Sequence, residues 1–326
     1  MLLADNVPIL RGSARWSLDR QIPDSVQITV PRFSVEGNRT VDWLPVSDSA
    51  PLARFGQMLD VTVVVNDVDT RLGRFLITEW AYDESSITVQ GEGLLRIAAD
   101  DRLPAVLSPR DGGTLQSEFL RLLPAQMSAQ FVGLSNRSCP VSMQWEENRL
   151  DDLYLIADSW PARLRMDEWG QVLLKQPLAD EVSSVVVAFT DGEGGTVVSV
   201  PRVESRDRAY NHVVARSSAD GVDAWAEAVQ TAGPMNAATY FRVTKFFSSP
   251  LLLNQAQCLA AAQTQLSDAV RPSRTVRVTA APDPRIELDD PVEVMRDGFR
   301  DRGYVVAVEL PLTVDDGPMT VDVGVF

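Results

Sequence analysis

The stretch Val26-Gln27-Ile28-Thr29-Val30 decides the fold class, because apolar and polar side chains alternate along it as in a half-buried β-strand. Similar patterns follow at Leu59–Val65, Arg74–Ala81 and Ser86–Gln90, and polar turns separate them. No long helical pattern lies between these strands, which argues against a parallel α/β sheet for this part of the chain. The pattern favours an antiparallel sheet or a small barrel.

The hydrophobic period becomes helical beyond Leu103. Capping residues, prolines and turn residues then mark two helices and a hairpin. The predicted elements are a helix from Leu115 that Thr114 caps and Pro124 ends, a helix from Arg149 that Trp160-Pro161 ends, and a hairpin of Arg163–Met166 and Gln171–Leu174. This middle region is interpreted as a small α+β domain.

Strand patterns return beyond Glu181. Val185–Phe189 and Val197–Val200 flank the glycine-rich run Asp191–Gly195, which we interpret as the tip of a hairpin. The further predicted strands are Tyr210–Arg216, Arg274–Thr279, Val292–Met295, Tyr304–Leu310 and Met319–Val325.

A long helix is predicted from Leu251 to Ala269, with Ser249 as its cap and Pro250 in its first turn. Apolar residues recur along it at steps of three and four, which predicts one buried stripe. The residues of this stripe are Leu252, Ala256, Leu259, Ala262, Leu266 and Val270. A charge at Leu259 is therefore expected to destabilise the fold.

Composition excludes several classes of protein. The 326 residues carry 30 basic and 45 acidic side chains, a formal charge of −15, which argues against a protein that neutralises nucleic-acid phosphates. The apolar runs are too short for a membrane helix, and no secretory signal is visible. Two distant cysteines, Cys139 and Cys258, exclude a fold built on disulfides and indicate assembly in a reducing compartment.

The sequence predicts no catalytic residues, no metal ligands and no cofactor. His212 is the single histidine, and its strand-like surroundings favour a packed side chain over a catalytic base. Gly91-Glu92-Gly93 lacks the third glycine of a dinucleotide fingerprint and is interpreted as a strand end or bulge. Asn66–Asp69 with Gly73 lacks the terminal glutamate of a calcium loop.

Carboxylate chemistry is the one catalytic route that the sequence leaves open, because burial alone can raise the pKa of an acid. Two acidic side chains at a suitable distance hydrolyse glycosidic bonds. Acidic doublets occur at Asp100-Asp101, Asp151-Asp152, Asp289-Asp290 and Asp315-Asp316. Neighbouring residues on a strand point to opposite faces, so a doublet is not a catalytic pair by itself.

The order of segments resembles that of the baseplate hub proteins, also called minor tail proteins, of long-tailed bacteriophages. The resemblance lies in a helix and hairpin, an "Asn-x-Val" strand, a second helix and the C-terminal strands. The segments that carry it are Asn148–Ala157, Met166–Val172, Tyr210–Ala215, Leu251–Ala269, Pro282–Val294, Tyr304–Leu312 and Pro318–Val321. The extreme N-terminus matches no quoted motif of the family.

This resemblance implies a mainly β fold with two tail-tube-like antiparallel β-barrels and a small α/β domain. The first barrel is expected at 1–102, the inserted α+β domain at 103–178, and the second barrel at 179–326, where Tyr210–Ala215 opens it. The segment 218–271, which contains the long helix, is expected to return to the inserted domain. Tryptophans such as Trp43 and Trp80 are interpreted as core and interface anchors.

The function that the resemblance implies is structural: a homotrimeric ring that adapts a sixfold tail tube to a threefold tip and lines the DNA ejection channel. Implied partners are the distal tail protein, the tail tube, the tape measure protein and tip, spike or fibre proteins, in a virion assembled in the host cytoplasm. The resemblance also implies that the protein contacts DNA only while the genome passes through the channel. It implies contact with the host envelope only through other tip proteins. The alternatives are a hub of a phage-derived injection or bacteriocin particle, and a carboxylate-based cell-wall hydrolase.

Overall fold

The computed structural model of the chain describes residues 2–19, 21–65, 67–176, 184–201, 209–270 and 275–325. The fold is mainly β with a few helices, as the sequence patterns predict. The expected boundary at residue 178 lies outside the described residues, as do Arg274, Asn66 and residue 271.

The N-terminal part consists of seven strands. They are β1 (Arg11–Ser17), β2 (Asp24–Pro31), β3 (Phe33–Glu36), β4 (Arg39–Asp42), β5 (Met58–Val65), β6 (Val68–Asp83) and β7 (Ser86–Gly93). Antiparallel pairing joins β1, β2, β7, β6 and β5 in that order, while β3 and β4 form a separate hairpin. The predicted alternation is confirmed, because Val26, Ile28 and Val30 all lie in the core of this part.

The middle part is α+β. Its elements are α1 (Leu95–Asp100), α2 (Leu115–Leu122), β8 (Ala129–Val132), α3 (Arg149–Ser159), β9 (Arg163–Met166) and β10 (Val172–Lys175). The Thr114 hydroxyl accepts a hydrogen bond from the Ser117 amide, and the Ser117 hydroxyl accepts one from Thr114, so the predicted cap is confirmed. The hairpin β9–β10 is also confirmed, and β8 joins β10 in parallel.

The C-terminal part returns to strands. Its elements are β11 (Val187–Thr190), β12 (Val197–Ser199), β13 (His212–Ser217), β14 (Trp225–Val229), α4 (Ala237–Tyr240), β15 (Thr244–Ser249), α5 (Gln255–Val270), β16 (Thr275–Ala280), β17 (Pro291–Arg296), β18 (Phe299–Pro311), a 3-10 helix (Val314–Asp316) and β19 (Met319–Val325). Among them, β16, β18 and β19 supply most of a second β core, which includes Val278, Val305 and Val321.

One sheet of eleven strands runs through both β regions. The long strand β18 pairs with β19 along one edge and with both β17 and β1 along the other. The pairing of β1 with β18 brings Ser13 opposite Pro311 and Ser17 opposite Ala307. The two β regions are therefore continuous through hydrogen bonds between the two ends of the chain.

The run Asp191–Gly195 is not a hairpin tip, so that interpretation is wrong. β11 pairs in parallel with β17, whereas β12 pairs antiparallel with β16. The glycine-rich run connects two strands at different places in the sheet. Turn residues determine a local change of chain direction. The pairing partner of each strand depends instead on the packing of apolar side chains that are distant in sequence.

The strand predicted at Tyr210–Arg216 exists as β13, but it does not open the second part of the large sheet. It lies between β14 and β15 in a separate sheet of three strands. Helix α5 covers this sheet, and Val213 and Ala215 pack against Ala261 and Ala262 of the helix. The local sequence predicts the strand but not the sheet to which the strand belongs.

Helix α5 begins at Gln255, four residues later than predicted. The Ser249 hydroxyl accepts a hydrogen bond from the Leu251 amide and so closes a turn, while the Asn254 side chain accepts from the Gln257 amide at the true helix start. The predicted stripe is also partly wrong, because Leu259 is 40% exposed. The packed face consists of Cys258, Ala261, Ala262, Gln265, Leu266 and Ala269.

We predict that Ala261→Asp lowers the melting temperature strongly, with a cost of about 3 kcal/mol or more, because it buries an unpaired charge against the three-stranded sheet. The matched variant Leu259→Asp, two residues away on the exposed side, is expected to cost less than about 1 kcal/mol. Thermal unfolding of both variants is the measurement. Equal losses would show that the assigned packing face of α5 is wrong.

Candidate functional site

His212 lies on the central strand of the small sheet and is buried. Its Nδ1 atom is 2.8 Å from the Thr244 hydroxyl on β15, and its Nε2 atom is 2.9 Å from a carboxylate oxygen of Glu227 on β14. Both ring nitrogens are thus used to tie the central strand to its two neighbours. His212 therefore has a structural role, because it links the three strands of the small sheet.

The acidic doublets are divided between separate structural roles. Asp100 pairs with Arg96 and Asp101 with Arg149, and both pairs lie at the surface. Asp316 accepts hydrogen bonds from the Thr313 hydroxyl and the Gly12 amide. These carboxylates thus bind an arginine or close a turn.

The doublet Asp151-Asp152 shows this division most clearly. Asp151 bonds the Asn148 side chain in the first turn of α3, whereas Asp152 is buried. Burial raises the pKa of Asp152 to about 7. One oxygen of Asp152 has no hydrogen-bond partner within the described part of the chain.

The described residues contain no group of three or more His, Cys, Asp or Glu side chains that could hold a metal ion. Cys139 and Cys258 are both buried as free thiols. None of the described helices has the length and apolar character needed to cross a bilayer.

A cluster of ion pairs lies where the middle part meets the C-terminal part, and we call it the arginine junction: Arg163, Arg165, Asp268 and Asp289. Arg163 of β9 contacts Asp268 of α5 and Asp289, which precedes β17. Arg165, on the same strand, contacts the other oxygen of Asp289. Arg163, Arg165 and Asp289 are largely buried, so their ion pairs are screened little by solvent, whereas the Asp268 side chain is 36% exposed.

The arginine junction continues into a cavity of about 150 Å³ that we call the junction cavity. The first β region, the β9–β10 hairpin and residues 284–288 form its walls. Asp24, on β2, is one of its lining residues and is only 8% exposed. Burial raises the pKa of Asp24 to about 7, and the charge of Arg165 opposes this rise.

Gly93 makes room for the Asp24 side chain. A Cβ atom at Gly93 would lie 2.7 Å from the Asp24 Oδ2 atom and 2.9 Å from its Cβ atom. The second glycine of the Gly91-Glu92-Gly93 run therefore serves a close approach between β7 and β2. Sequence reasoning placed this run at a strand end and missed the carboxyl beside it.

The described strands leave edges of the large sheet unpaired, at β5, at β12 and at β11. β5 carries exposed apolar side chains near its end, including Val64 at 61% and Val65. On β12, Val198 is 63% exposed. Apolar side chains on an open edge favour pairing or packing with another chain.

The comparisons with known proteins concern fold alone. No protein-family model and no curated protein matches the sequence. A tail protein from Neisseria meningitidis MC58 superposes with a TM-score of 0.66 at 16% identity, over 97% of this chain and 91% of that one. The 43 kDa tail protein of prophage MuSo2 from Shewanella oneidensis gives 0.63 at 12% identity, over 97% and 94%.

A weaker structural similarity is found with a component of a secretion system. The c3393 protein of E. coli, a component of the type VI secretion system that is itself similar to T4 bacteriophage tail proteins, gives a TM-score of 0.55 at 10% identity. The match covers 98% of this chain and 74% of that one. The chain thus has the fold of phage tail proteins over nearly its whole length, as the order of its segments predicts.

We predict that Asp24→Asn stabilises the protein at pH 8 and has little effect near pH 4. Asp24 binds its proton more tightly when folded, so the stability from the protonated acid is present below pH 4 and lost as pH rises through about 7. The gain at pH 8 is up to about 4 kcal/mol, because the pKa of Asp24 is about 7 in the folded protein and 3.8 in an unperturbed side chain.

Melting temperatures of the two proteins between pH 4 and pH 8 are the measurement. Asp48→Asn, in an exposed turn, is the control and should leave the curve unchanged. A difference between wild type and Asp24→Asn that does not grow with pH would contradict the buried state of this carboxyl.

Proposed function

We propose that this chain is a structural baseplate hub, or minor tail, protein of a phage tail tip. The observation that carries the proposal is the shared fold with tail proteins, which spans 97% of the chain and at least 91% of two tail proteins. A match of this extent includes both β regions and the middle part together. Fold alone does not fix function, so the interfaces supply the rest of the argument.

The proposed domains are a first tube-like barrel at 1–102, an inserted domain at 103–178 joined by 218–271, and a second barrel at 179–326. Contacts support the return of the helical segment to the inserted domain. Arg137 donates to the carbonyl of Leu251, and the hydroxyls of Ser159 and Ser249 are 2.8 Å apart. Leu251 is part of the middle core.

The proposed assembly is a ring of three copies. Each copy supplies two β regions in one continuous sheet, so three copies present six such regions around an axis and match a sixfold tube. The unpaired strands β5 and β12 lie at different ends of the sheet order. Contact between two different edges is head-to-tail, which closes into a ring when the rotation per copy allows it.

The acidic surface suits a channel that DNA crosses. Each copy carries a formal charge of −15, and carboxylates around a narrow lumen repel phosphates and keep the polymer from adhering. The remaining proposed partners are the distal tail protein, the tail tube, the tape measure protein and tip, spike or fibre proteins. The proposed location is the tail tip of the virion, after assembly in the host cytoplasm.

A hub of a phage-derived injection or bacteriocin particle is the second candidate. The similarity to a component of the type VI secretion system supports it. The third candidate, a carboxylate-based cell-wall hydrolase, loses support because Asp100, Asp101 and Asp289 are paired with arginines. Incubation of the purified chain with cell-wall substrate distinguishes it, since a structural hub releases no sugar or peptide.

We predict that the protein is a trimer in the mature particle. Mass measurement of the complex released from particles, or a reconstruction with the tail attached, is the direct test. The isolated chain can remain monomeric at low concentration, because mass action favours dissociation of the ring when the tube is absent as a template. A single copy or a ring of six copies in the particle would refute the proposal.

We predict that Val64→Asp blocks ring formation while the chain still folds. Val64 is 61% exposed on the edge strand β5, so a charge there is solvated in the monomer and desolvated in an edge-to-edge contact. Val46→Asp is the matched control, because Val46 is 83% exposed and lies outside every strand. Particle assembly with each variant is measured; equal yields would rule out β5 as the interface.

A further inference from the structure

The small sheet formed by β13, β14 and β15 has one covered face and one open face. Helix α5 covers the first, where Val213 and Ala215 pack against it. Because side chains alternate along a strand, their neighbours in sequence lie on the other face. Trp225 and Phe246 are 57% and 64% exposed there. We call this surface the open sheet face, and its residues are Val214, Arg216, Trp225, Glu227 and Phe246.

The open sheet face is apolar at its centre and balanced in charge. Val214 lies between Glu227 on β14 and Phe246 on β15. A carboxylate oxygen of Glu227 is 2.9 Å from Nε2 of His212, and the guanidinium carbon of Arg216 is 5.9 Å from the centre of the Phe246 ring. The acid and the arginine of this face offset each other, so exposed aromatic rings dominate it. Such a surface marks a contact with another molecule.

Helix α5 lacks the charged outer side that a surface helix ordinarily has. Residues 255–267 contain no charged side chain. Ala256, Leu259 and Gln263 are nevertheless exposed, and their steps of three and four place them on one side of the helix. We call these three residues the free helix face. A helix without charge on any side is typical of one that is buried on all sides.

Charge favours a second copy of this chain as the molecule that covers both faces. Copies that each carry a formal charge of −15 repel one another, so they need a contact surface depleted in carboxylates. Residues 228–267 contain no aspartate or glutamate, whereas the whole chain has 45 in 326 residues. This stretch includes Phe246 and the entire free helix face. A basic partner would instead bind where the carboxylates are.

The two faces also suit each other in kind. The covered face of the small sheet already packs against α5, so a helix of this composition fits this sheet. The open sheet face lacks a helix, and the free helix face lacks a sheet. Because they lie on opposite sides of one two-layer unit, docking between two copies is head-to-tail. A head-to-tail contact closes into a ring when the rotation per copy allows it.

We propose that the free helix face of one copy packs on the open sheet face of the next copy, with Leu259 set against Val214 and Phe246. Each small sheet then lies between two α5 helices, its own and that of its neighbour. The proposal rests on the proposed ring of three copies, to which it adds a second contact besides the strand edges.

Assembly of tails with charged variants tests the proposal. Leu259→Asp and Phe246→Asp should each lower the yield of assembled tails at least about tenfold, because the contact desolvates a carboxylate. Both positions are exposed in the isolated chain, so its thermal unfolding should change little. The double variant Leu259→Asp/Phe246→Lys should regain most of the yield, since the carboxylate then meets an ammonium group. Val314→Asp, at a position 98% exposed outside both faces, is the control and should assemble normally.

The mass of the complex released from wild-type particles separates this proposal from that of the ring. A number of copies other than three would refute the ring itself. Three copies in wild type, with normal yields from Leu259→Asp or Phe246→Asp, would overturn only the contact between helix and sheet. Loss of assembly in both single variants without recovery in the double variant would also overturn it, because the two faces would then meet other proteins.

Discussion

The pairing of β1 with β18 is the constraint on which the rest of the structure depends. It joins Ser13–Ser17 to Ala307–Pro311, at opposite ends of the chain, and closes nearly all the sequence into one loop. The entropic cost of closing so long a loop grows only slowly with its length, and the hydrogen bonds of two strands repay it. Asp316 supports this β1–β18 pairing, because its carboxylate accepts a hydrogen bond of 2.8 Å from the Gly12 amide.

The β1–β18 pairing joins the two β regions into one sheet. Ion pairs then hold the middle part against that sheet. Arg163 and Arg165 share Asp289, so the β9–β10 hairpin cannot move away from the strand β17 that follows Asp289 without separating buried charges. Tyr154 of α3 adds a neutral contact, as its hydroxyl donates to the Gln21 carbonyl near β2. The three parts thus meet around the junction cavity.

Local elements could be predicted from the sequence wherever their signals are local. Thr114, Trp160-Pro161 and the turn 167–170 identify the start of α2, the end of α3 and the β9–β10 hairpin, because caps, stops and turns use neighbouring residues. The pairing of β11 with β17 could not be predicted, since about a hundred residues separate them and either face of a short apolar strand suits several partners.

The candidate site was still less accessible to sequence reasoning. Asp24, Arg165 and Glu287 lie on three separate segments, and only folding brings them to one cavity. Asp24 follows a proline and precedes an alternating strand, which gives no sign of a buried acid with a raised pKa. The doublet Asp289-Asp290 is a candidate for carboxylate chemistry by sequence alone, whereas in the structure Asp289 pairs with both Arg163 and Arg165.

The central claim is that three copies join through the different ends of one continuous sheet. Val64 on β5 and Val198 on β12 are exposed on unpaired strands, and the two native cysteines are buried and free. A chain with both Val64→Cys and Val198→Cys, oxidised within assembled tails and analysed under denaturing conditions, tests the claim most directly. A ring of three copies gives disulfide-linked dimers and trimers and nothing larger. Monomers alone, or a ladder that continues beyond three, would contradict it.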